Sequence, residues 1–350
     1  MSTRVLLTVS GVIPDDVEAQ VAAGVRPRPD YRVLASEFGA ELLDFAGARR
    51  RSGRLGHLIE RVGGAKALLA WATFRSRRAY DVVVTDGEQI GLPFAALCRV
   101  AGRRGTRHFM IVHVLSVRKK TTPWRLFRLG RYVDKLIVYA SAQRRFAIEQ
   151  LGVAPDRVVL TPFMVDTRFF APVATDPPTR RKICSVGLER RDFHTLCDAV
   201  DGLDVEVVLA VGSNWSTQPD RITGSPLPSN VSVCTLDFVA LRALYAECRF
   251  VVMPLHEIDF QAGVTTILEA MAMGKAVVCS ATTGQTDVIV DEQTGLYVPP
   301  GDAAALRAAI ERLLDDPDYA AELGRAARAD AEQRFDIVVY AKGLAAEVLA

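Results

Sequence analysis

The residues of 261–302, QAGVTTILEAMAMGKAVVCSATTGQTDVIVDEQTGLYVPPGD, combine an anion-binding backbone with a carboxylate. A short loop through Gly263 enters an apolar helix that carries Thr265 and Thr266 at its start and stops at Gly274. The first N–H groups of a helix have no intrahelical acceptor and sit at the positive end of its dipole, a place that suits phosphate. Glu269 follows one turn later and can face the same place. An anion beside a carboxylate points to a nucleotide, with phosphate on the helix end and ribose hydroxyls on the carboxylate. The competing reading is local. Thr266 and Glu269 are spaced as T-x-x-E, a capping box that closes the helix start and does no chemistry.

A second concentration, Arg118-Lys119-Lys120-Thr-Thr-Pro123-Trp124-Arg125-Leu-Phe127-Arg128, mixes cations with aromatic side chains, and Pro123 suits the first turn of a helix. Arg49, Arg50, Arg51, Arg54, Arg75, Arg77 and Arg78 add charge to the same half of the chain. A basic segment with aromatic anchors fits the headgroup layer of an anionic membrane. A solvated helix with Trp124 turned inward fits the same residues.

Such groups need elements to hold them. The chain has 350 residues, 49% apolar and 24% charged, enough for two domains with full cores. The apolar run 5–9 is too short to cross a bilayer and no small-residue cleavage site follows, so neither a signal peptide nor a transmembrane helix is expected. Six cysteines (Cys98, Cys184, Cys197, Cys234, Cys248, Cys279) lie mostly in apolar segments without C-x-x-C spacing. That argues against a zinc site or a disulfide framework and for a reducing, cytoplasmic compartment. Net charge is +2, yet residues 1–175 hold 28 Lys+Arg against 15 Asp+Glu, net +13, and residues 176–350 hold 15 against 26, net −11. The first half should therefore meet something anionic: a membrane surface, a nucleic acid or an acidic substrate. Nucleic acid fits least, because no recognition module is present.

Apolar runs at 5–9, 80–85, 108–113, 136–139 and 158–160 read as strands, with a further strand at 31–35, and 65–74, 92–100 and 143–151 have helical patterning. The proline-rich, aperiodic 171–179 reads as a linker. The alternation restarts with strands at 183–186, 205–211, 231–234, 250–254 and 276–279 and helices at 194–200, 239–247 and 303–314, around a polar loop at 219–230. Apolar strands alternating with helices imply parallel sheets covered on both faces. The fold class is thus α/β, with two doubly wound, Rossmann-like domains facing across a cleft. The boundaries are an N-terminal domain 1–170, the linker 171–179, a C-terminal domain 180–334, and a helix 335–350 crossing back to the first domain. Ligands of such sheets bind beyond the carboxyl ends of the strands.

On these residues the chain resembles the retaining glycosyltransferases of the GT-B fold, family 4. Glu269-Ala-Met-Ala-Met-Gly274-Lys275-Ala-Val-Val278 and Thr294-Gly295-Leu-Tyr-Val-Pro-Pro-Gly301-Asp302 are similar to the family's EAMAxGKPVV and TGxLVxPGD. More loosely, 80–85 resembles its DVIHxH strand, 111–113 the strand ending at its catalytic-site histidine, 161–170 its NGVDTxxF and 184–187 its VGR strand. The likeness runs over nearly the whole length. Four places depart from the pattern. The family's diphosphate-binding Arg and Lys fall on the run 187–192, where Arg191 stands at the lysine position and the arginine position has no clear match. The first of the family's two acidic residues is Gln261, an amide that can hydrogen-bond but carries no charge. The double glycine after the first strand is replaced by Gly11-Val-Ile-Pro14, and the family's His-Gly is His113-Val114.

The resemblance implies metal-free transfer of a sugar from a nucleoside-diphosphate sugar, with no permanently bound cofactor. The acceptor hydroxyl would be lipid-linked at the inner face of the cell membrane, or belong to a cell-envelope or polysaccharide precursor. It puts the diphosphate on Arg190, Arg191 and the backbone N–H groups of Gly263, Val264, Thr265 and Thr266, and the ribose on Glu269. The transferred sugar falls to Gln261, Ala262 and Gly263, and His113, Arg191 and Gln261 form the catalytic set. Arg190 and Arg191 also read as an exposed charged turn, and His113 as a structural strand end. No nucleophilic carboxylate stands out, in keeping with the family's same-face substitution, where the leaving phosphate takes the acceptor's proton. Asp166 and Asp287 match family positions but read as turn or capping residues, and Lys275 as structural. The alternatives are a nucleotide-sugar epimerase, a phosphorylase using a pyridoxal-phosphate lysine, and a non-catalytic nucleotide-sugar-binding protein, the last prompted by Gln261.

Overall fold

A computed structural model of the protein describes residues 3–103, 105–173, 181–212 and 227–350. Most of the linker read at 171–179 and of the polar loop read at 219–230 lies outside the described residues. The chain divides into two compact units, one of Met1–Ala19, Pro29–Thr161 and Tyr340–Ala350, the other of Gln20–Arg28 and Pro162–Val339.

The first unit is built on six strands: β1 (Val5–Thr8), β2 (Glu41–Leu43), β3 (Val82–Thr85), β4 (Arg107–Ile111), β5 (Lys135–Val138) and β6 (Val158–Leu160). All pairings are parallel, in the order β2-β1-β3-β4-β5-β6. The helices in this part of the chain are α1 (Val17–Ala22), α2 (Asp30–Phe38), α3 (Phe45–Ser76), α4 (Glu88–Ala101), α5 (Arg118–Leu126) and α6 (Ser141–Arg145). The VLLT and VVVT strands are buried at every residue because apolar clusters form on both faces of the sheet. Leu6, Val83, Ile90 and Phe94 belong to one cluster, and Met110, Leu136, Val138 and Trp124 to the other.

The second unit repeats the plan with β7 (Lys182–Val186), β8 (Glu206–Ala210), β9 (Val231–Cys234), β10 (Phe250–Met253), β11 (Ala276–Ser280) and β12 (Leu296–Val298). Its order is β12-β11-β10-β7-β8-β9, again parallel throughout. The helices that follow in the chain are α7 (Phe193–Val200), α8 (Phe238–Glu247), α9 (Val264–Ala272), α10 (Ala303–Asp315), α11 (Pro317–Asp330) and α12 (Ile337–Leu349). Two Rossmann-like sheets are therefore present, as the alternation of apolar strands and helices implies. All six cysteines are free thiols.

Several local readings are corrected. Residues 31–35 form no strand; they lie in α2, where Leu34 and Phe38, four apart, are the buried pair and Gly39 closes the helix at φ 61°. A period of 3.6 fits these residues better than a run of apolar letters. Pro123 does not open α5 but lies near its end, and the turn before it is made by Arg118–Lys120. Thr265 and Thr266 do not cap α9, whose N-cap is Gly263 at φ 75°. Strands β2 and β12 and helices α1 and α11 have no counterpart in the sequence reading. β2 is three residues long with one fully buried, too short for a periodic signal.

Asp166 is more than a turn residue. Within the second unit its carboxylate accepts from Arg28 Nη2 at 2.6 Å, Nε at 3.0 Å and backbone N at 2.8 Å. Burial alone would raise its pKa, but the hydrogen bonds from Arg28 outweigh that and hold it below the ordinary value. Arg28→Ala leaves a buried carboxylate unpaired and should destabilise the second unit by about 3 kcal/mol at neutral pH. Because the native pKa is depressed, the contribution is present above 3.8 and fades as pH falls through the lowered value, so melting curves of the two proteins should converge in acid.

Candidate functional site

In the second unit the strand order reverses between β7 and β10, and the loops leaving these two strands carry Arg191 and Gly263. A doubly wound sheet opens its ligand crevice at such a switch point. The turn after β7 is clipped to the chain after β10. Asp192 N donates to Pro254 O at 3.0 Å, His256 N donates to Arg190 O at 3.1 Å, and Arg191 makes an isolated bridge with Leu255. Arg190 takes a left-handed φ of 60°, unusual for a residue with a side chain, and is exposed. That twist turns the next residue inward. Arg191 is buried, with Nε donating to Val186 O and Nη1 to Glu189 O, both at 2.9 Å, and Nη2 lying 3.5 Å from Thr266 Oγ1.

Two glycines make room for this guanidinium. A Cβ at Gly187 would stand 2.7 Å from Arg191 Nη2, and one at Gly263 would stand 2.9 Å from Nη1. Both residues have positive φ, 90° and 75°. The Arg191 side chain thus touches the residue that caps α9, a helix with no side-chain cap, whose opening N–H groups have no intrahelical acceptor. Burial lowers the pKa of Arg191 to about 10, so it stays cationic at neutral pH. No carboxylate pairs with it among the described residues. A buried cation beside uncapped helix amides is an arrangement that suits an anion.

Of the other residues singled out, Ala262 and Val264 are buried, Thr265 is exposed, and Gln261 is half-buried with its Oε1 atom enclosed and without a hydrogen-bond partner. Arg190 makes no side-chain hydrogen bond to the start of α9 among the described residues, so only one of the two arginines is tied there. Glu269 is not half of a capping box. It is buried, it accepts from Tyr245 Oη at 2.9 Å, and burial raises its pKa to about 7 from an ordinary 4.5. Lys275 is structural: Nζ donates to Ala246 O and Cys248 O at 3.0 and 2.7 Å.

The first unit has its own switch point, between β1 and β3. Asp86, just after β3, is locked there. Its backbone N donates to Thr8 Oγ1 at 2.9 Å, its Oδ2 accepts from Ser10 N at 3.2 Å, and its carbonyl accepts from Ser10 Oγ at 2.7 Å. The remaining carboxylate oxygen, Oδ1, lies 3.2 Å from His113 Nε2. The His113 backbone is fixed as well, its N donating to Glu88 Oε2 at 2.9 Å and its O accepting from Gln143 Nε2 at 2.6 Å, while the side chain is exposed. Partial desolvation works against its charged form, but the bond to Asp86 prevails and raises its pKa, while that of Asp86 is lowered. Nearby Asp30 is pushed up to about 6 by burial and by the charge of Asp86. The sequence reading missed Ser10, Asp86 and Glu88. The signal was available, since Asp86-Gly87-Glu88 directly follows an apolar strand.

The segment read as a membrane or acceptor surface splits. Trp124 is only 4% exposed, packed in the core with Leu129 and Val133, so it is no surface anchor. Gly130 lies so close that a Cβ there would stand 2.8 Å from the indole. Lys120 is turned onto buried Glu88 and also donates to Val114 O at 2.7 Å. Arg118, Lys119, Arg125, Phe127 and Arg128 are exposed, Arg125 bonding Gln150 O at 2.7 Å and Arg99 lying 5.8 Å over the Phe127 ring. No helix is long and apolar enough to cross a membrane, and no cluster of three or more His, Cys, Asp or Glu could hold a metal ion, among the described residues.

Paired parallel sheets of this order define the GT-B fold. Over 99% of its length the chain superposes on sucrose-phosphate synthase from Thermosynechococcus elongatus, with a TM-score of 0.73, 19% identity and 98% of that chain covered. It superposes equally on HepE of Anabaena in complex with UDP-glucose, with a TM-score of 0.71, 18% identity and 99% of each chain covered. Residues 180–316 match the family described as glycosyl transferases group 1. The glycogen synthase of Mycobacterium tuberculosis is 36% identical over 115 residues, which cover 33% of this chain and 27% of that protein. D-inositol 3-phosphate glycosyltransferase of Corynebacterium aurimucosum is 28% identical over 231 residues, covering 57% and 53%. The chain thus spans between 27% and 53% of the length of these two curated relatives.

The raised pKa of Glu269 makes a prediction about the unliganded protein. A carboxyl whose native pKa lies above its unfolded value stabilises the fold fully below 4.5 and loses that contribution as pH rises to about 7. The loss amounts to roughly 3 kcal/mol from the size of the shift. Glu269→Gln should flatten the pH dependence of thermal unfolding across this window and melt higher than the parent at pH above 7.

Proposed function

We propose that the chain is a retaining glycosyltransferase that moves a sugar from a nucleoside-diphosphate sugar to an acceptor hydroxyl. The carrying observation is the buried Arg191 guanidinium, without a carboxylate partner among the described residues, against the uncapped start of α9. A leaving nucleoside diphosphate is the anion that such a seat suits, because charge builds on its oxygens as the glycosidic bond breaks. Preorganised donors aimed at that charge are typically worth about 3–4 kcal/mol each. Arg191 and the N–H groups of Gly263, Val264, Thr265 and Thr266 supply them without calling on a metal. Glu269, once charged, accepts the ribose hydroxyls; donor binding then draws its proton off. Gln261, with its enclosed and unpartnered Oε1, takes a hydroxyl of the transferred sugar.

In this reading the C1–O bond to the diphosphate breaks, the acceptor oxygen bonds C1 from the same face, and its proton passes to the departing phosphate oxygen. With Nε2–H donated to Asp86, His113 offers Nδ1 to a sugar hydroxyl, and the carboxylate behind the ring offsets positive charge developing on a sugar bound there. The acceptor is assigned to the basic first unit, with a lipid-linked hydroxyl as the leading class. HepE, a neighbour in fold, is held with UDP-glucose, which makes uridine donors the first to try.

A thermal-shift screen against uridine, guanosine and adenosine diphosphates and their sugars tests the reading, followed by NMR assignment of the product anomer. Stabilisation by one diphosphate and slow donor hydrolysis with retained configuration are expected. Inversion at another sugar carbon would mean an epimerase, and binding without turnover a non-catalytic protein. Arg191→Lys should lower kcat by about 10²–10³-fold. Gly263→Ala, which drives a Cβ into the guanidinium, should weaken diphosphate binding by about tenfold through the displaced Arg191. Asp86→Asn should lower kcat by about tenfold or more. It should also move the acidic limb of the pH–rate profile downward, because His113 loses the partner that raises its pKa.

A further inference from the structure

Helix α3 is not one rod. Gly53 (φ 54°, ψ −152°) and Gly64 (φ 77°, ψ 176°) leave helical geometry and set off the segment 54–63, RLGHLIERVG. At about 100° per residue, Leu55, Leu58, Ile59 and Val62 fall on one stripe. Gly56, Glu60 and Gly63 lie on one flank of it, and Arg54, His57 and Arg61 on the other. That first flank is packed at Gly56 and Glu60. A Cβ on Gly56 would stand 2.3 Å from Ser52 Cβ and 3.1 Å from Leu68 Cδ1, and Glu60 Oε1 accepts from Arg49 Nη2 and Nε at 2.6 and 2.9 Å. The stripe itself is in solvent: Leu55 is 48% exposed, Leu58 58% and Val62 83%.

Singly exposed aliphatic residues are ordinary, but three in register on one helical face are not. The charge around them names the occupant. Residues 49–66 hold five arginines and one lysine against one glutamate, net +5. A second copy of the chain would set this charge against itself. An anionic lipid surface meets both features at once, acyl chains for the stripe and phosphates for Arg54 and Arg61.

We propose that 54–63 is a membrane-docking element that lies in the interface of an anionic bilayer. Leu55, Leu58 and Val62 enter the acyl boundary, Arg54 and Arg61 reach the lipid phosphates, and Gly53 and Gly64 are the pivots that let the segment settle. Docking needs neither donor nor acceptor, so its failure would leave the transfer reading untouched. The full chain is to be centrifuged at low salt with phosphatidylcholine vesicles and with mixed phosphatidylcholine–phosphatidylglycerol vesicles. Sedimentation with the mixed vesicles only, reversed by added salt, is expected. Leu58→Ser with Val62→Ser, and separately Arg54→Glu with Arg61→Glu, should each cut partitioning by about tenfold or more at unchanged circular dichroism. Arg118→Glu with Lys119→Glu should cut it less. The proposal is overturned if the parent stays in the supernatant, if it binds neutral vesicles equally, or if both double variants bind undiminished. A dimer in analytical ultracentrifugation that the same substitutions disperse would instead assign the stripe to a second copy.

Discussion

Removing a guanidinium from water without a carboxylate to meet it costs several kcal/mol, and the second unit accepts that cost at Arg191. Backbone carbonyls of Val186 and Glu189 recover part of it, and the rest is left to whatever binds. Much of the local backbone follows from this one burial. Gly187 and Gly263 must lack side chains, Arg190 must twist to a left-handed φ, and the 187–192 turn must be clipped to the chain after β10. Strain kept at one point and supported on all sides is what a site built for an arriving anion requires.

The two units solve the same problem with opposite charges. In each, the strand order reverses beside the first strand, and the loops parted by the reversal carry the polar group. The second unit holds a cation there and the first an acid, Asp86, braced by Thr8 and Ser10 and paired with His113. The sheet supplies position cheaply, since strands buried at every residue, as β1, β3 and β10 are, cannot slide, and the loops at their carboxyl ends are left to carry chemistry.

The sheets were legible because buried parallel strands are written as continuous apolar runs: 80–85 and 250–254 differ from Val82–Thr85 and Phe250–Met253 only at the ends. Residues 31–35 misled because five largely apolar letters fit a short strand and one helical turn equally, and only Leu34 with Phe38 separates them. The proximity of Arg191 and Gly263 follows from strand order, so each could be singled out by type and resemblance while their contact could not be read along the chain. Asp86 was overlooked since a lone aspartate after a strand looks like any turn residue until His113 is brought beside it. Trp124 shows the reverse error: its cationic neighbours advertise a surface, while Gly130, six positions on, opens the space that draws the indole inside.

Neither unit is a continuous stretch of chain. Gln20–Arg28 belongs to the second although most of the first follows it in the chain, and Tyr340–Ala350 completes the first although it follows the second. Tyr340, 2% exposed with its hydroxyl 3.1 Å from that of Tyr139, is part of that closing piece. During translation the earlier sheet must therefore wait, its Tyr139 side uncovered, until residues 340–350 leave the ribosome. Proteolytic or genetic division of the polypeptide after Thr161 would yield two incomplete halves rather than two independent domains.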